Sequence, residues 1–223
     1  MKKNHQKIKV WDASVRLFHL ALIILVSLSL WSGFQDKLGT GYDTMHLYAG
    51  VGIIVLILSR IIWGFLGSTT ARFSDFITSP KAVWQYFTKK QPYKWAGHNP
   101  AGGWMVVILL LLLLTQAILG LYSFDDVDFY GPLNFSISEE SASTVMWLHK
   151  QLGIVLMGII SLHILAIILT QTKHKVNLIK AMITGEKPKE NVTLTRPLKF
   201  KSIAWFLFLV CVLGYGLYSY LFS

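Results

Sequence analysis

His149 and His163 lie fourteen positions apart on one apolar run. On an α-helix fourteen residues make almost four whole turns, so both imidazoles leave the same face, about 21 Å apart along the axis. A bilayer's hydrocarbon core is about 30 Å thick, which puts one histidine near each leaflet. His19 and His46 open two further apolar runs. An imidazole in lipid is costly unless it is paired or ligated. Four of them at two depths form a donor set for two metal centres, each gripped from both sides. Two imidazoles on opposite faces of a haem iron fill both axial positions, which suits an electron carrier that binds neither gas nor substrate at the metal. The rival reading is four separate histidines bonded to neighbouring backbone, or lining a proton path.

The elements that must position these residues are five long apolar runs, at about 15–34, 46–66, 103–122, 146–171 and 203–221. Each is long enough to cross a bilayer at roughly 20 residues per span. In lipid each must be a helix, because every backbone polar group needs a partner within the segment. The 223 residues are 53% hydrophobic, with a mean hydropathy of +0.51. The expected fold is therefore all-α: an integral membrane bundle of five helices forming one domain over residues 1–223.

The net charge is +10, but its distribution points to a membrane rather than to nucleic acid. With the N-terminus inside, 19 of the 21 basic residues fall in cytoplasmic segments, and only Lys37 and Lys150 lie outside. That asymmetry orients a multi-pass protein. It predicts a cytoplasmic N-terminus and a C-terminus on the outer side. The outer loops are acidic, with Asp36, Asp43, Asp125, Asp126, Asp128, Glu139 and Glu140. Trp11, Trp63, Trp104 and Trp205 fall at inner helix ends and Trp31 and Trp147 at outer ends, as in an aromatic belt. The single cysteine, Cys211, excludes an intrachain disulfide, a CxxCH haem attachment and an iron–sulfur cluster held by this chain alone. Any haem is held non-covalently.

Topology then decides which histidines can share a metal. His19 starts an outward span and is inner; His46 starts an inward span and is outer. On the inward fourth span His149 is outer and His163 inner. The pairs are His19 with His163 and His46 with His149. Arg60 follows His46 by fourteen residues on the same face and needs an anion or a route to the headgroups. A haem propionate would accept a forked pair of hydrogen bonds from it; snorkelling is the alternative. Arg16, one turn before His19, is a second candidate for the inner haem, and Lys150 a candidate for the outer one. His98, in GHNPAGG, sits at the inner entry to the third span, as a candidate contact for a propionate or a quinone or simply as a cap. His5 and His174 lie in basic tails where solvent exposure is the default. Met45, Met146 and Met157 read as packing residues. Gly50, Gly52, Gly153 and Gly158 lie on the histidine-bearing spans, where they would admit a flat macrocycle or bring helices close. Ser79-Pro80 reads as a helix start for a short surface helix, with a solvated loop as the alternative here and at 173–183. A second such helix runs from Lys173 to Ile183 and stops at Gly185, and 123–145 reads as irregular.

Four segments carry a family likeness. VWDASVRLFHL (10–20), RIIWGFLGSTTARFSDF (60–76), GHNPAGGWMVVILLLL (97–112) and KAMITGEK (180–187), with the LHKQLG…LH pattern of the fourth span, resemble the bacterial cytochrome b561 family, which includes the cytochrome b subunits of nickel–iron hydrogenases. The likeness covers roughly residues 9–190 and leaves 203–221 as an additional fifth helix. It implies a four-helix core with two b-type haems on His19, His46, His149 and His163, carrying electrons between the quinone pool and a partner at the outer face.

The expected function is thus that of a di-haem membrane cytochrome with two non-covalent haem b groups and a quinone as candidate substrate. Its expected partners are membrane lipid and a periplasmic c-type cytochrome or other redox subunit, drawn to the acidic outer face mainly through faster encounter. Self-association into an oligomer stays open. The competing readings are a stand-alone quinone or superoxide oxidoreductase, and a histidine-lined proton or metal transporter.

Overall fold

The computed structural model describes residues 6–35, 41–89, 94–124, 129–194 and 196–223. His5, Asp36, Lys37, Asp125, Asp126 and Asp128 lie outside the described residues. A short strand β1 (Lys7–Lys9) leads into α1 (Ala13–Gly33) and α2 (Tyr42–Leu66). Two short helices follow, α3 (Phe73–Phe76) and α4 (Pro80–Thr88), then α5 (Pro100–Tyr122), α6 (Glu139–His174), α7 (Leu178–Thr184), strand β2 (Glu186–Pro188) and α8 (Ile203–Phe222). Among the described residues α1, α2, α5, α6 and α8 are long and apolar enough to cross a membrane, and they coincide with the five expected spans. Their outward faces are hydrophobic, with Leu111, Ile164 and Leu169 about half exposed, as lipid requires. α2 is by far the most enclosed of the five.

The chain forms two compact units. The first consists of Met1–Leu17, Arg60–Ile108 and Ile160–Phe206; the second of Phe18–Ser59, Leu109–Ile159 and Leu207–Ser223. The first unit gathers the starts of α1, α5 and α8 and the ends of α2 and α6.

Within the first unit the connections are tied down by polar contacts. Asp12 caps α1 by accepting the Val15 N–H at 2.7 Å, as aspartate does at helix starts. β1 and β2 pair antiparallel, with Ile8 opposite Lys187. Gly185, at φ 82°, ends α7, and its carbonyl accepts the N–H groups of Val10 and Trp11. Thr70 donates its hydroxyl to the Val10 carbonyl at 2.6 Å. Phe206 of α8 is buried against Trp63, ring centroids 5.6 Å apart.

Three details depart from the sequence expectations. α6 begins at Glu139, so the irregular segment ends earlier than 145; Glu139 and Glu140 fall in its first turn, where carboxylates favour the helix dipole. The helix expected from Lys173 is interrupted, because Lys175 takes a left-handed conformation at φ 54° and Asn177 caps a new helix through Lys180 N–H. Trp11 and Trp63 are not belt residues but are buried at 5% and 2% exposure. The Ser79–Pro80 start is as expected, with Ser79 accepting the Ala82 N–H. Trp84 and Phe87 of α4 are both 70% exposed, an apolar face suited to a membrane surface.

Candidate functional site

In the second unit His46 of α2 and His149 of α6 face each other, ring centroids 6.1 Å apart and planes at 79°. A metal-bound imidazole nitrogen lies about 2 Å from its metal, so two rings gripping one metal from opposite sides have centroids about 6 Å apart. The rings are also in the protonation form that ligation needs. His46 Nδ1 lies 2.9 Å from the Ser29 carbonyl and 3.2 Å from the Ser32 hydroxyl oxygen. Ser32 spends its own proton on the Leu28 carbonyl at 2.7 Å, so His46 Nδ1 is the donor. His149 Nδ1 likewise donates to the Gln116 carbonyl at 3.0 Å. In both rings Nδ1 carries the proton and Nε2 carries the lone pair. A carbonyl on the far nitrogen is the usual outer support of a metal-bound imidazole.

Both rings enter their neighbour helix at a glycine. Ser29 and Gly33 on α1, and Gln116 and Gly120 on α5, are each four residues apart, so the carbonyl and the glycine sit on one face. A Cβ at Gly33 would lie 3.2 Å from His46 Cε1, and one at Gly120 3.1 Å from His149 Cε1. Both are too close for an ordinary side chain without displacement of the ring. One turn beyond His46, Gly50 has open space where a Cβ would be. A flat macrocycle beside the His46 ring suits that opening, and the donor set fits iron porphyrin. Gly158 is similarly open, whereas Gly52 presses on Leu25, 2.9 Å from a built Cβ; there the small residue serves helix approach.

His19 lies on α1 in the second unit and His163 on α6 in the first, each partly buried. The other expected site residues of the first unit are Arg60, which is buried, and Arg16 and His98, which are partly buried. Arg60 is 2% exposed, and its Nη1 has no hydrogen-bond partner among the described residues. Its guanidinium carbon lies 5.6 Å from the Phe73 ring and 6.0 Å from the Phe76 ring, and the Asp12 carboxylate acts on it electrostatically. Snorkelling to the headgroups does not describe a side chain this enclosed. Arg16 donates through Nη2 to the Ile183 carbonyl near the end of α7, which is where a cation favours the helix dipole. The His98 ring packs edge-on against Trp11 at 4.8 Å and lies 4.6 Å from Phe76. Lys150 is exposed on α6 beside His149, and His174 is at the end of that helix.

The four segments that carried the sequence likeness therefore contribute Val10, Asp12, Arg16, Arg60, Trp63, Thr70, His98 and Lys187 to one unit. The family model for prokaryotic cytochrome b561 matches residues 10–185. The chain belongs to that family.

As a member of the cytochrome b561 family it is a helical membrane protein of electron transfer, and the family implies b-type haem. The matched stretch contains all four candidate ligand histidines and ends before α8. Its relatives include the probable Ni/Fe-hydrogenase B-type cytochrome subunit of Rhizobium leguminosarum bv. viciae, 25% identical over 82% of this chain and 90% of the relative. The protein of the same description from Bradyrhizobium diazoefficiens is 22% identical over 80% and 85%. That from Rhodobacter capsulatus is 23% identical over 44% and 47%. No solved structure matches the chain at comparable significance.

Sequence reasoning missed Asp12, Ser29, Ser32, Gly33, Gln116 and Gly120. Asp12 had a local signal, an acidic residue just before an apolar run. The carbonyls of Ser29 and Gln116 had none, because a backbone acceptor leaves no trace in residue type.

Proposed function

We propose that this b561 cytochrome holds two non-covalent haem b groups, one between His46 and His149 and one between His19 and His163, and carries electrons between a quinone and a redox partner at the opposite membrane face. The observation that carries the reading is the His46–His149 pair, with its 6.1 Å centroid spacing and both Nδ1 protons committed to carbonyls. When bound, haem supplies the one-electron iron couple. The chain's own residues hold it, orient its ligands and keep water from it. The inner pair rests on the fourteen-residue spacing of His149 and His163 and on the expected alternating direction of the spans.

The orphaned Nη1 of Arg60 supports a role in binding a propionate of the inner haem. Arg16, already on the Ile183 carbonyl, is a weaker candidate for the same haem, and exposed Lys150 one for the outer haem. His98 is better supported as a packed ring that holds the start of α5 against Trp11 and Phe76 than as a ligand. Residues 1–223 would form one membrane domain, with the 9–190 core ligating haem and α8 added to it.

The charge asymmetry supports an inner-membrane location with a cytoplasmic N-terminus and a periplasmic C-terminus: the residue ranges of the first unit hold 19 of the 21 basic residues. The names of the three relatives support a partner of the nickel–iron hydrogenase type; a periplasmic c-type cytochrome drawn to the acidic loops is the alternative. The decisive experiment is a reduced-minus-oxidised spectrum with haem quantified per chain in purified protein. Two b-type haems per chain are expected. A single haem would remove the inner site, and no b-type absorption would remove the proposal.

A further inference from the structure

The short helix α4 (Pro80–Thr88) is tied down on one side and bare on the other. The carbonyl of Thr78, just before it, accepts the indole N–H of Trp104 at 2.9 Å. The Tyr86 hydroxyl accepts from the Asn99 amide at 3.1 Å and also bonds Thr170, four residues before the end of α6. Asn99 in turn caps α5 by accepting the Gly102 N–H at 2.6 Å. The Tyr86 ring lies edge-on to Trp95, centroids 5.4 Å apart. All of these residues belong to the first unit. They fix α4 where one apolar span begins and another ends, which is the level of a membrane–water interface.

With Tyr86 turned inward, the opposite side of α4 faces away from the protein. Lys81, Trp84 and Phe87 follow one another at three-residue steps and share that side. Trp84 and Phe87 are each 70% exposed, and Lys81 and the C-cap Lys89 are exposed as well. Residues 79–94 hold four lysines and no aspartate or glutamate. Among the described residues neither Lys81 nor Lys89 pairs with a carboxylate. Two large aromatic side chains beside free ammonium groups, at headgroup depth, match one occupant: a phospholipid whose chains meet the rings and whose anionic headgroup meets the lysines.

We propose that the outer face of α4 is a binding site for acidic phospholipid in the leaflet where α5 starts and α6 ends. Trp84 and Phe87 enter the boundary between headgroups and acyl chains, and Lys81 and Lys89 donate hydrogen bonds to the lipid phosphate. A zwitterionic lipid offers the same chains but carries a cation of its own, so the lysines discriminate between the two headgroups. None of these four side chains is a candidate haem contact.

The test uses the full-length protein in detergent, titrated with phosphatidylglycerol or with phosphatidylcholine of the same chains, and reads the melting temperature. Phosphatidylglycerol should raise it at lower concentration than phosphatidylcholine. With Lys81→Gln and Lys89→Gln combined, the half-maximal phosphatidylglycerol concentration should rise by roughly fivefold per lysine lost, with the phosphatidylcholine response unchanged. Lys7→Gln combined with Lys189→Gln removes the same charge from beside the β1–β2 pair and should respond as wild type does. Equal responses of wild type to the two lipids would overturn the proposal. So would an equal loss in both double variants, which would make the attraction one of net charge alone. Depth gives a second reading, from a nitroxide on Phe87→Cys in a Cys211→Ser background in nanodiscs of the two lipids mixed. The label should collide more with oxygen than with a water-soluble nickel chelate. The reverse would put this face in water, as a soluble partner protein would require, and would also overturn the proposal.

Discussion

Trp63 donates its indole N–H to the Asp12 carboxylate at 3.0 Å, bridging the end of α2 and the start of α1 across 51 residues. Asp12 is 2% exposed and has a second duty as the cap of α1. It also supplies negative charge near Arg60, which is equally buried. One carboxylate thus fixes a helix start, orients an aromatic ring and offsets a cation that has no route to water. A buried charge left without its partner is far more costly than the pair was favourable.

Asp12→Asn should therefore destabilise the protein even though an amide oxygen can still cap the helix. Losing the charge-assisted hydrogen bond from Trp63 costs about 1.5–3 kcal/mol, and loss of the cap in Asp12→Ala adds about 1 kcal/mol. The melting temperature in detergent should fall in the order wild type, Asn, Ala. Pairing Asp12→Asn with Arg60→Met should recover part of the loss, because the uncompensated cation is gone. Equal melting temperatures for wild type and Asp12→Asn would show that the charge is not needed.

Gly33 and Gly120 predict a site-selective loss. Leucine at either position drives a side chain into the imidazole that approaches it, at a point where even a bare Cβ would be 3.1–3.2 Å away. Gly120→Leu should displace His149 and Gly33→Leu should displace His46, each reducing haem content from two to one per chain. Gly216→Leu on α8, which enters open space outside the candidate haem core, should keep both. Haem quantification on the purified variants reads the result, and full occupancy in Gly120→Leu would contradict the close approach.

The independence of the two sites gives a third expectation. His163→Ala should lose one haem and leave the other with an unshifted potential, and His46→Ala should do the converse. The remaining resonance should differ between the two variants, since each keeps a different pair of histidines. Should either substitution remove both haems, the sites depend on one another and the two-clamp description fails.

The spans were legible because lipid forces a simple grammar: apolar runs of fixed length, helices throughout. The candidate ligand histidines stand out for the same reason, since an imidazole in an apolar run is conspicuous. The supporting contacts were not. The Ser29 and Gln116 carbonyls belong to every residue alike, and only the three-dimensional approach of His46 and His149 singles them out. Glycines misled in part. Gly50, Gly52, Gly153 and Gly158 drew attention by sharing helices with the histidines, yet the glycines pressed against the rings are Gly33 and Gly120 on the opposing helices. Trp11 and Trp63 misled as well, because tryptophan at a helix end serves a lipid interface or a buried hydrogen bond equally well, and here Asp12 takes Trp63 inside.

Lys187 offers a pH-dependent prediction outside the spans. It sits on β2 at 2% exposure. Its ammonium donates to the carbonyls of Trp95 and Ala96 at 3.0 Å and of Gly97 at 3.3 Å, and lies 5.8 Å from the Trp11 ring. Burial pulls its pKa down from 10.5 to about 8, because removal from water penalises the charged form. Between about pH 8 and 10.5 the unfolded chain keeps a proton that the folded chain has released. Stability rises with pH wherever the unfolded state binds more protons, so this lysine contributes increasing stability across that window and no slope below it. The melting temperature of wild type relative to Lys187→Met should climb as the pH is raised from 8 to 10 and be flat from 6 to 7. The comparison with the methionine variant cancels surface lysines and tyrosines, which titrate in both proteins. A difference that stays constant across pH 8–10 would mean that the three carbonyls hold Lys187 charged despite its burial.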